Sequence, residues 1–449
     1  MLMAKSVRSN LKFPRIVFWL SVFLATRCCG DAATFFVTRS TDGSFFGTLR
    51  GAVLTANHRG GNNTIVLAGD QYHLTAEIWG DELSITNGIL TIIGVGSSRE
   101  ADHFRHSTRA TIDSDDMTRF FHVFPGARLM LQNLVLTGGG FYAEKSGAIK
   151  NEGTLVLENC VIQGSSALIG AGIYNSGRLT MNNDVVSGNS CYGEEAGSGG
   201  GIYNVGTLIA NDCIVSNNAS GKGRDGGFFG GIGVSTTIVG PQPSISGGNA
   251  GDGGGIFNAG AMTLNRCFIM DNSTGQGGSA SSGAWQGANG GAGGNGAGIY
   301  NMGRLKMNRC VIGGNTGGDG GAGAAGGSGG FENTGYNGGN GGSGGSGGGV
   351  FNAPGFTAQS FNSLIALNAG GSGGSAGAGY PGYPGFISAG TDGNPGTNGF
   401  GRDLSGSFIS SGYNLVGAAD YSTGFTNGVQ HDIVGSRAAP ASPTLFKLK

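Results

Sequence analysis

Charge is what this sequence is shortest of. Asp, Glu, Lys and Arg make up 12% of its 449 residues, about half the ~25% of an ordinary soluble domain. The formal net charge is −1, so no basic surplus exists to displace counterions, which argues against DNA or RNA binding. Proline is scarce at 10 residues, and no strict Gly-X-Y period runs through the chain; a collagen triple helix is excluded. Long apolar runs are missing too. The stretch IVFWLSVFLA at 16–25 is half the ~20 residues that a membrane helix needs. The repeat units described below contain no His, so no Ser-His-Asp constellation can be proposed from them.

What is present in excess is glycine, 96 residues of it, beside an apolar share of 38% that still suffices for a core. Lys5, Arg8, Lys12 and Arg15 precede the apolar run, and small residues follow near Gly30 to Ala33. That order is the pattern of a secretory signal peptide, assigned to residues 1–33. Cys28 and Cys29 lie near its end, but Arg27 occupies the place where a lipoprotein signal carries a small residue.

The rest of the chain returns repeatedly to one motif, I-[YF]-N. Copies begin at Asn151, Asn175, Asn204, Asn258, Asn301 and Asn352, spaced 24, 29, 54, 43 and 51 residues apart. Within each unit the offsets hold although the spacing does not. Four residues on stand Leu155, Leu179, Leu208, Met262 and Leu305; nine on, Cys160, Asp184, Cys213, Cys267 and Cys310; eleven on, Ile162, Val186, Val215, Ile269 and Ile312. Apolar alternation in runs this short, punctuated by Asn and Gly, predicts strands, with a bend between them that reverses parity. One such coil cannot bury its apolar face alone, whereas stacked coils can. The expected fold is therefore all-β, a right-handed parallel β-helix of pectin-lyase-like type.

All the variable length falls at one turn, in Gly-rich inserts of which the longest are 273–295, 316–346 and 369–400. As turn insertions outside the ladder, they are expected to add little to the core, and removal of 319–345 is expected to leave stability almost unchanged. TLRGAVLTAN (48–57) has helical spacing behind a Thr48 N-cap and predicts a short helix covering the open end of the stack. The domain reading is a cap and first rungs at 34–140, the repeat β-helix with its inserts at 141–369, and a further insert with C-terminal rungs at 370–449.

TLRGAVLTAN followed by TIVLAGDQYHLT resembles the opening of bacterial surface β-helix proteins known by their CSLREA motif, although Thr48-Leu49-Arg50-Gly51-Ala52 lacks the Cys and Glu of that name. The GGGIYN…GTL…C…SGN units are similar to that family's repeats and, more loosely, to those of polymorphic outer-membrane proteins. DLSGSFISSGYNLVG (403–417) with GFTNGVQHDIVGS (424–436) resembles the C-terminal segment of the choice-of-anchor Q group. The resemblance implies an exported protein, secreted or at the cell surface or outer membrane. It supplies no catalytic residues.

The candidate sites follow from the columns. Cys160, Cys213, Cys267 and Cys310 form one inward column, read as buried thiols, with disulfides between rungs as the alternative. Asn151, Asn175, Asn204, Asn258 and Asn301 suit a ladder of stacked amides. Arg266 and Arg309 share an offset and, with Trp285 of an insert, are candidates for binding an acidic sugar. Asp113, Asp115 and Asp116 are the densest carboxylate cluster and the candidate calcium ligands. His103 and His106 have metal-compatible spacing but no third ligand. Lys150, Glu152, Glu158, Arg178, Asp184 and Asp212 are the rung charges a lyase would draw upon, and no recognisable set emerges from them. Two functions remain. One is a non-enzymatic adhesive or structural protein that meets an extracellular glycan or cell-surface partner through its insert-bearing edge. The other is a polysaccharide lyase or hydrolase acting on a uronic-acid glycan, by analogy of fold alone.

Overall fold

The computed structural model describes residues 32–68, 71–75, 82–95, 109–140, 146–192, 196–226, 244–282, 286–327, 335–381 and 388–436. Residues 1–31 of the signal-peptide segment, His103, His106 and Trp285 lie outside them. Short strands recur turn after turn, and each pairs in parallel with its counterpart on the turns before and after. In the first sheet Leu129, Leu155, Leu179, Leu208, Met262, Leu305 and Ala358 stand residue upon residue. In the second, Leu136, Ile162, Val186, Val215, Ile269, Ile312 and Ile365 do the same. The third aligns Phe121, Ile149, Ile173, Ile202, Ile256, Ile299 and Val350. Every one of these residues is buried, so each turn completes its neighbours' core. Parallel strands joined by crossovers wind right-handed; the chain is a right-handed parallel β-helix.

The reversal of parity has a single cause. Asn133, Asn159, Asn183, Asp212, Arg266 and Arg309, one per turn between the first and second sheets, have φ of 54–57°. This left-handed conformation suits Asn and Asp, whose short polar side chains tolerate it best. One residue there turns the chain so that both flanking strands present their apolar positions inward.

At the N-terminal end a helix spans Leu49–Arg59, and the Thr48 Oγ accepts from the Gly51 amide at 3.1 Å. Leu49, Ala52, Val53 and Ala56 are buried in the same core. The helix thus covers the first rungs, whose edges would otherwise be open.

Most polar residues inside the stack are satisfied by their own kind, with Asn151 Oδ1, at the start of the first ladder, left without a donor. Asn151, Asn175, Asn204, Asn258, Asn301 and Asn352 are buried, and each Nδ2 of the first five donates to the Oδ1 of the next at 2.6–2.7 Å. A second ladder runs Asn189, Asn218, Asn272, Asn315, Asn368 and ends on Asp403, with side-chain bonds of 2.8–3.0 Å. A carboxamide donates from Nδ2 and accepts at Oδ1, so one residue per turn can propagate the ladder at the rung spacing.

Candidate functional site

The Gly-rich inserts overturn the expectation that they lie outside the folded stack. Each runs outward from the β-helix and returns to it: 219–226 with 245–253, 273–281 with 287–296, 316–326 with 335–347, and 369–379 with 390–400. On the outward row, Gly317, Gly320, Gly323 and Gly326 donate to the carbonyls of Ala369, Ser372, Ser375 and Ala378 at 2.8–2.9 Å. On the return row, Gly338, Gly341, Gly344 and Gly347 donate to Thr391, Asn394, Thr397 and Phe400, again at 2.8–2.9 Å. The rows are also tied to each other in antiparallel sense, as Gly339, Gly342 and Gly345 donate to Ala324, Gly321 and Gly318 at 2.8 Å. Partners advance three residues at a time. That is the screw of an extended threefold helix, which makes no internal hydrogen bonds and must find them laterally.

The sequence of the inserts follows from this geometry. In each triplet the first residue donates to the next layer and the second to the opposite row, and both lie against neighbouring backbone. A Cβ on Gly320 would come within 1.9 Å of the Gly342 carbonyl oxygen, and one on Gly321 within 1.9 Å of that of Gly278. The first two positions mostly hold glycine or, at Ala250, Ala280, Ala288 and Ala324, a single methyl group, while the third residue points away and carries most of the side chains. It is not idle. Asn289 Oδ1 accepts the amide of Asn340, and Asn340 Oδ1 that of Asn394, both at 2.8 Å. On the opposite face Asp319 Oδ1 accepts from Ser372 at 2.7 Å. Gly-Gly-Asn and its Ser, Asp and Ala variants are thus the sequence form of a bundle whose interior is backbone alone.

The bundle also stops itself. In the last return segment, Asp392, Pro395 and Asn398 stand where Gly338, Gly341 and Gly344 donate in the layer before. With no further layer to receive an amide, proline is tolerated and side chains fit. Asn398 Oδ1 accepts from the Gly373 amide at 2.9 Å, and Asp392 Oδ1 from Gly379 at 2.8 Å, replacing the carbonyls a fifth layer would offer. Arg224 occupies the Gly278 position in the first outward segment. Edges blunted by charge and proline prevent further pairing, as they do in sheets. Clefts of ≈ 500 Å³ beside Cys191, Lys222 and Asp225, and of ≈ 170 Å³ beside Ser372, Asn398 and Arg402, lie at the two ends.

The residues singled out from the sequence fall in several places. Cys160, Cys213, Cys267 and Cys310 are buried free thiols, donating to backbone carbonyls such as that of Leu131, 3.4 Å from Cys160 Sγ; burial pushes the Cys160 thiol up to about 12. Arg266 is committed to a bidentate pair with Asp212, at 2.6 Å for each contact. That pair, with both partners half exposed, occupies the guanidinium expected to face a sugar. Arg309 is exposed on the next turn. Asp113 accepts the Asp115 amide at 3.0 Å within a tight turn, and among the described residues no group of three His, Cys, Asp or Glu is placed to hold a metal ion. The calcium expectation for Asp113, Asp115 and Asp116 therefore gains no cage of ligands. Desolvation, and then repulsion from Asp113 and Asp115, holds Asp116 above the usual carboxylate range.

One charged group was not visible in the sequence. Outside the third sheet, His122 lies between Glu82 Oε1 at 2.7 Å and Glu152 Oε2 at 2.9 Å. Arg119 pairs with Glu82, and Lys150 with Glu152 at 3.2 Å. Burial opposes ionisation of Glu82, but the His122 hydrogen bond and the Arg119 charge outweigh it and lower its pKa. Glu152 is lowered chiefly by its bond to His122. Glu82, the pair Arg119 and His122, and Glu152 belong to three successive turns, and only the register brings them together. Further along the same outer column, Tyr174, Tyr203, Phe257, Tyr300 and Phe351 stack at 4.6–5.5 Å with rings within 11° of parallel.

No family model matches this chain, and no curated protein does. Among solved structures it is similar to a pectate lyase, Pel9A, at 13% identity and a TM-score of 0.38, over 91% of this chain and 82% of that one. No helix among the described residues is long and apolar enough to cross a membrane.

Proposed function

We propose that this chain is an exported β-helix protein, secreted or held at a cell surface, that works as an adhesive or structural element through its insert-bearing edge. The observation that carries the reading is the Gly bundle: a large share of the chain is spent on a rigid platform with two outer faces of repeated polar side chains. A platform of repeated positions suits attachment to a repeated partner, and an extracellular glycan or cell-surface polymer is the partner proposed. The signal-like N-terminus and the resemblance to CSLREA-motif and choice-of-anchor Q proteins support export.

The lyase or hydrolase reading draws only on the His122 cluster. Each carboxylate there is engaged by His122, Arg119 or Lys150, which favours a structural ion network over a reacting pair. The test is to incubate the purified mature chain with cells, a glycan array, and pectin and alginate. Retention on cells or glycans without product release is expected. Release of unsaturated or reducing products from the uronates would replace this reading with the enzymatic one.

A further inference from the structure

The two outer faces of the bundle differ, and the difference points to a ligand class. On the return face the exposed third positions are Asn249, Asn289, Asn337, Asn340, Asn394, their Ser, Thr and Gln neighbours and Phe400, and the less exposed Asp252 begins the column nearest the β-helix. Among the described residues of that exposed set none carries a charge, whereas the outward face carries Lys222, Asp225 and Asp319. The return-face amides are also fixed in direction. Asn249, Asn289, Asn337 and Asn340 each give Oδ1 to a backbone amide of the following layer at 2.8–2.9 Å. With Oδ1 turned into the bundle, Nδ2 and its two hydrogens are left facing outward.

The result is a column of N–H donors at Asn289, Asn340 and Asn394, flanked by Asn337 on one side and Asn249 on the other, with hydroxyl side chains at several neighbouring third positions. Along a segment, third positions recur every ~9.3 Å, three residues at ~3.1 Å each. Across layers they recur at about the ~4.8 Å separation of paired chains. The donors of Asn249, Asn289, Asn337 and Asn340 are immobilised before binding, so little of their ordering entropy is lost when a ligand arrives, and Asn394 extends the column in the last layer. Such an array matches acceptors repeated in two dimensions. Because the array bears no cation, a polyanion gains nothing from it, and the fitting partner is neutral and rich in hydroxyl and ether oxygens.

We infer that the return face, through the column Asn289, Asn340 and Asn394, binds the surface of a neutral polysaccharide whose extended chains are packed side by side, taking several chains at once. The ~9.3 Å period is close to the length of two sugar rings in such a chain. The inference rests on the adhesive reading above and narrows it to one face and one ligand class.

The test uses the full mature chain with microcrystalline cellulose and with chitin as packed neutral probes, and soluble alginate as the charged, unpacked one. The variant is N289D/N340D/N394D, which keeps Oδ1 for the backbone amides and removes the donors. Its fold is checked by circular dichroism and Tm. A second variant, S372D/S375D, alters the opposite face. Expected is adsorption to a packed probe, a loss of at least tenfold in N289D/N340D/N394D with Tm unchanged, and no change in S372D/S375D. Adsorption that the Asn variant retains in full, or that only the opposite-face variant loses, overturns the assignment of the face. Adhesion to cells or alginate without adsorption to either packed polysaccharide overturns the ligand class while leaving the adhesive reading standing. Absence of binding to every surface removes both. Shaping of growing ice crystals in place of glycan adsorption would give the same donor array to a different lattice.

Discussion

At the scale of single residues, this molecule is decided by side chains that serve the turn above or below them. Asn258 is representative: its Oδ1 receives Asn204 Nδ2 at 2.7 Å and its Nδ2 reaches Asn301 Oδ1 at 2.6 Å, with no access to water. Asn258→Ala strands both partners, and a buried unsatisfied group costs about 1–3 kcal/mol. We expect a loss of about 2 kcal/mol in urea denaturation, against little change for the exposed Ser375→Ala. Asp184 interrupts the Cys column and accepts the amides of Cys160 and Asn182 at 2.7 and 2.8 Å. Burial raises its pKa from 3.8 to about 7. The folded state therefore holds a proton that the unfolded chain has already lost, and stability falls as pH rises from about 4 to 7, by about 4 kcal/mol. Asp184→Ser, copying Ser363, which accepts from Cys310 N at 3.1 Å and donates to Phe361 O at 3.0 Å, should flatten that pH profile. The four column thiols should resist a thiol reagent in the native protein and react on denaturation without reductant; reactivity that needs reduction would mean disulfides.

At the scale of elements, the β-helix could be read from the sequence and the bundle could not. Columns of Leu, Ile and Cys at fixed offsets announce strands and stacking because burial selects apolar residues. The bundle buries backbone against backbone, which selects only for the absence of a side chain and leaves no hydropathy pattern. Its signal was a local three-residue period, with glycine at 317, 320, 323 and 326 and again at 318 and 321, diluted in a chain where glycine is everywhere. The Glu82–His122–Glu152 network escaped notice for another reason: its members share no local motif and meet only through register. Gly321→Ala should therefore behave as a core mutation, since its Cβ would sit 1.9 Å from a carbonyl oxygen. Removal of 319–345, which takes out parts of both segments of the third layer, should lower the melting temperature markedly by leaving Gly277, Gly287, Gly290 and Gly293 without acceptors. An unchanged melting temperature after that deletion would mean that the bundle adds nothing to the fold.

At the scale of the whole molecule, two kinds of interior stand side by side, one of apolar side chains and one of peptide groups. They should differ in how their stability responds to temperature. Exposing apolar surface raises the heat capacity on unfolding, whereas exposing polar surface lowers it, with ordinary proteins near 12–15 cal/mol/K per residue. Here the inserts bring peptide groups and almost no hydrocarbon into the balance, so calorimetry on the full chain should give a per-residue value well below that range. A smaller heat capacity change flattens the stability curve, so this protein should lose less of its stability in the cold than a β-helix of equal length with ordinary turns. The glycine that removes side chains from the inserts would then be what frees their cohesion from the temperature dependence of water around hydrocarbon.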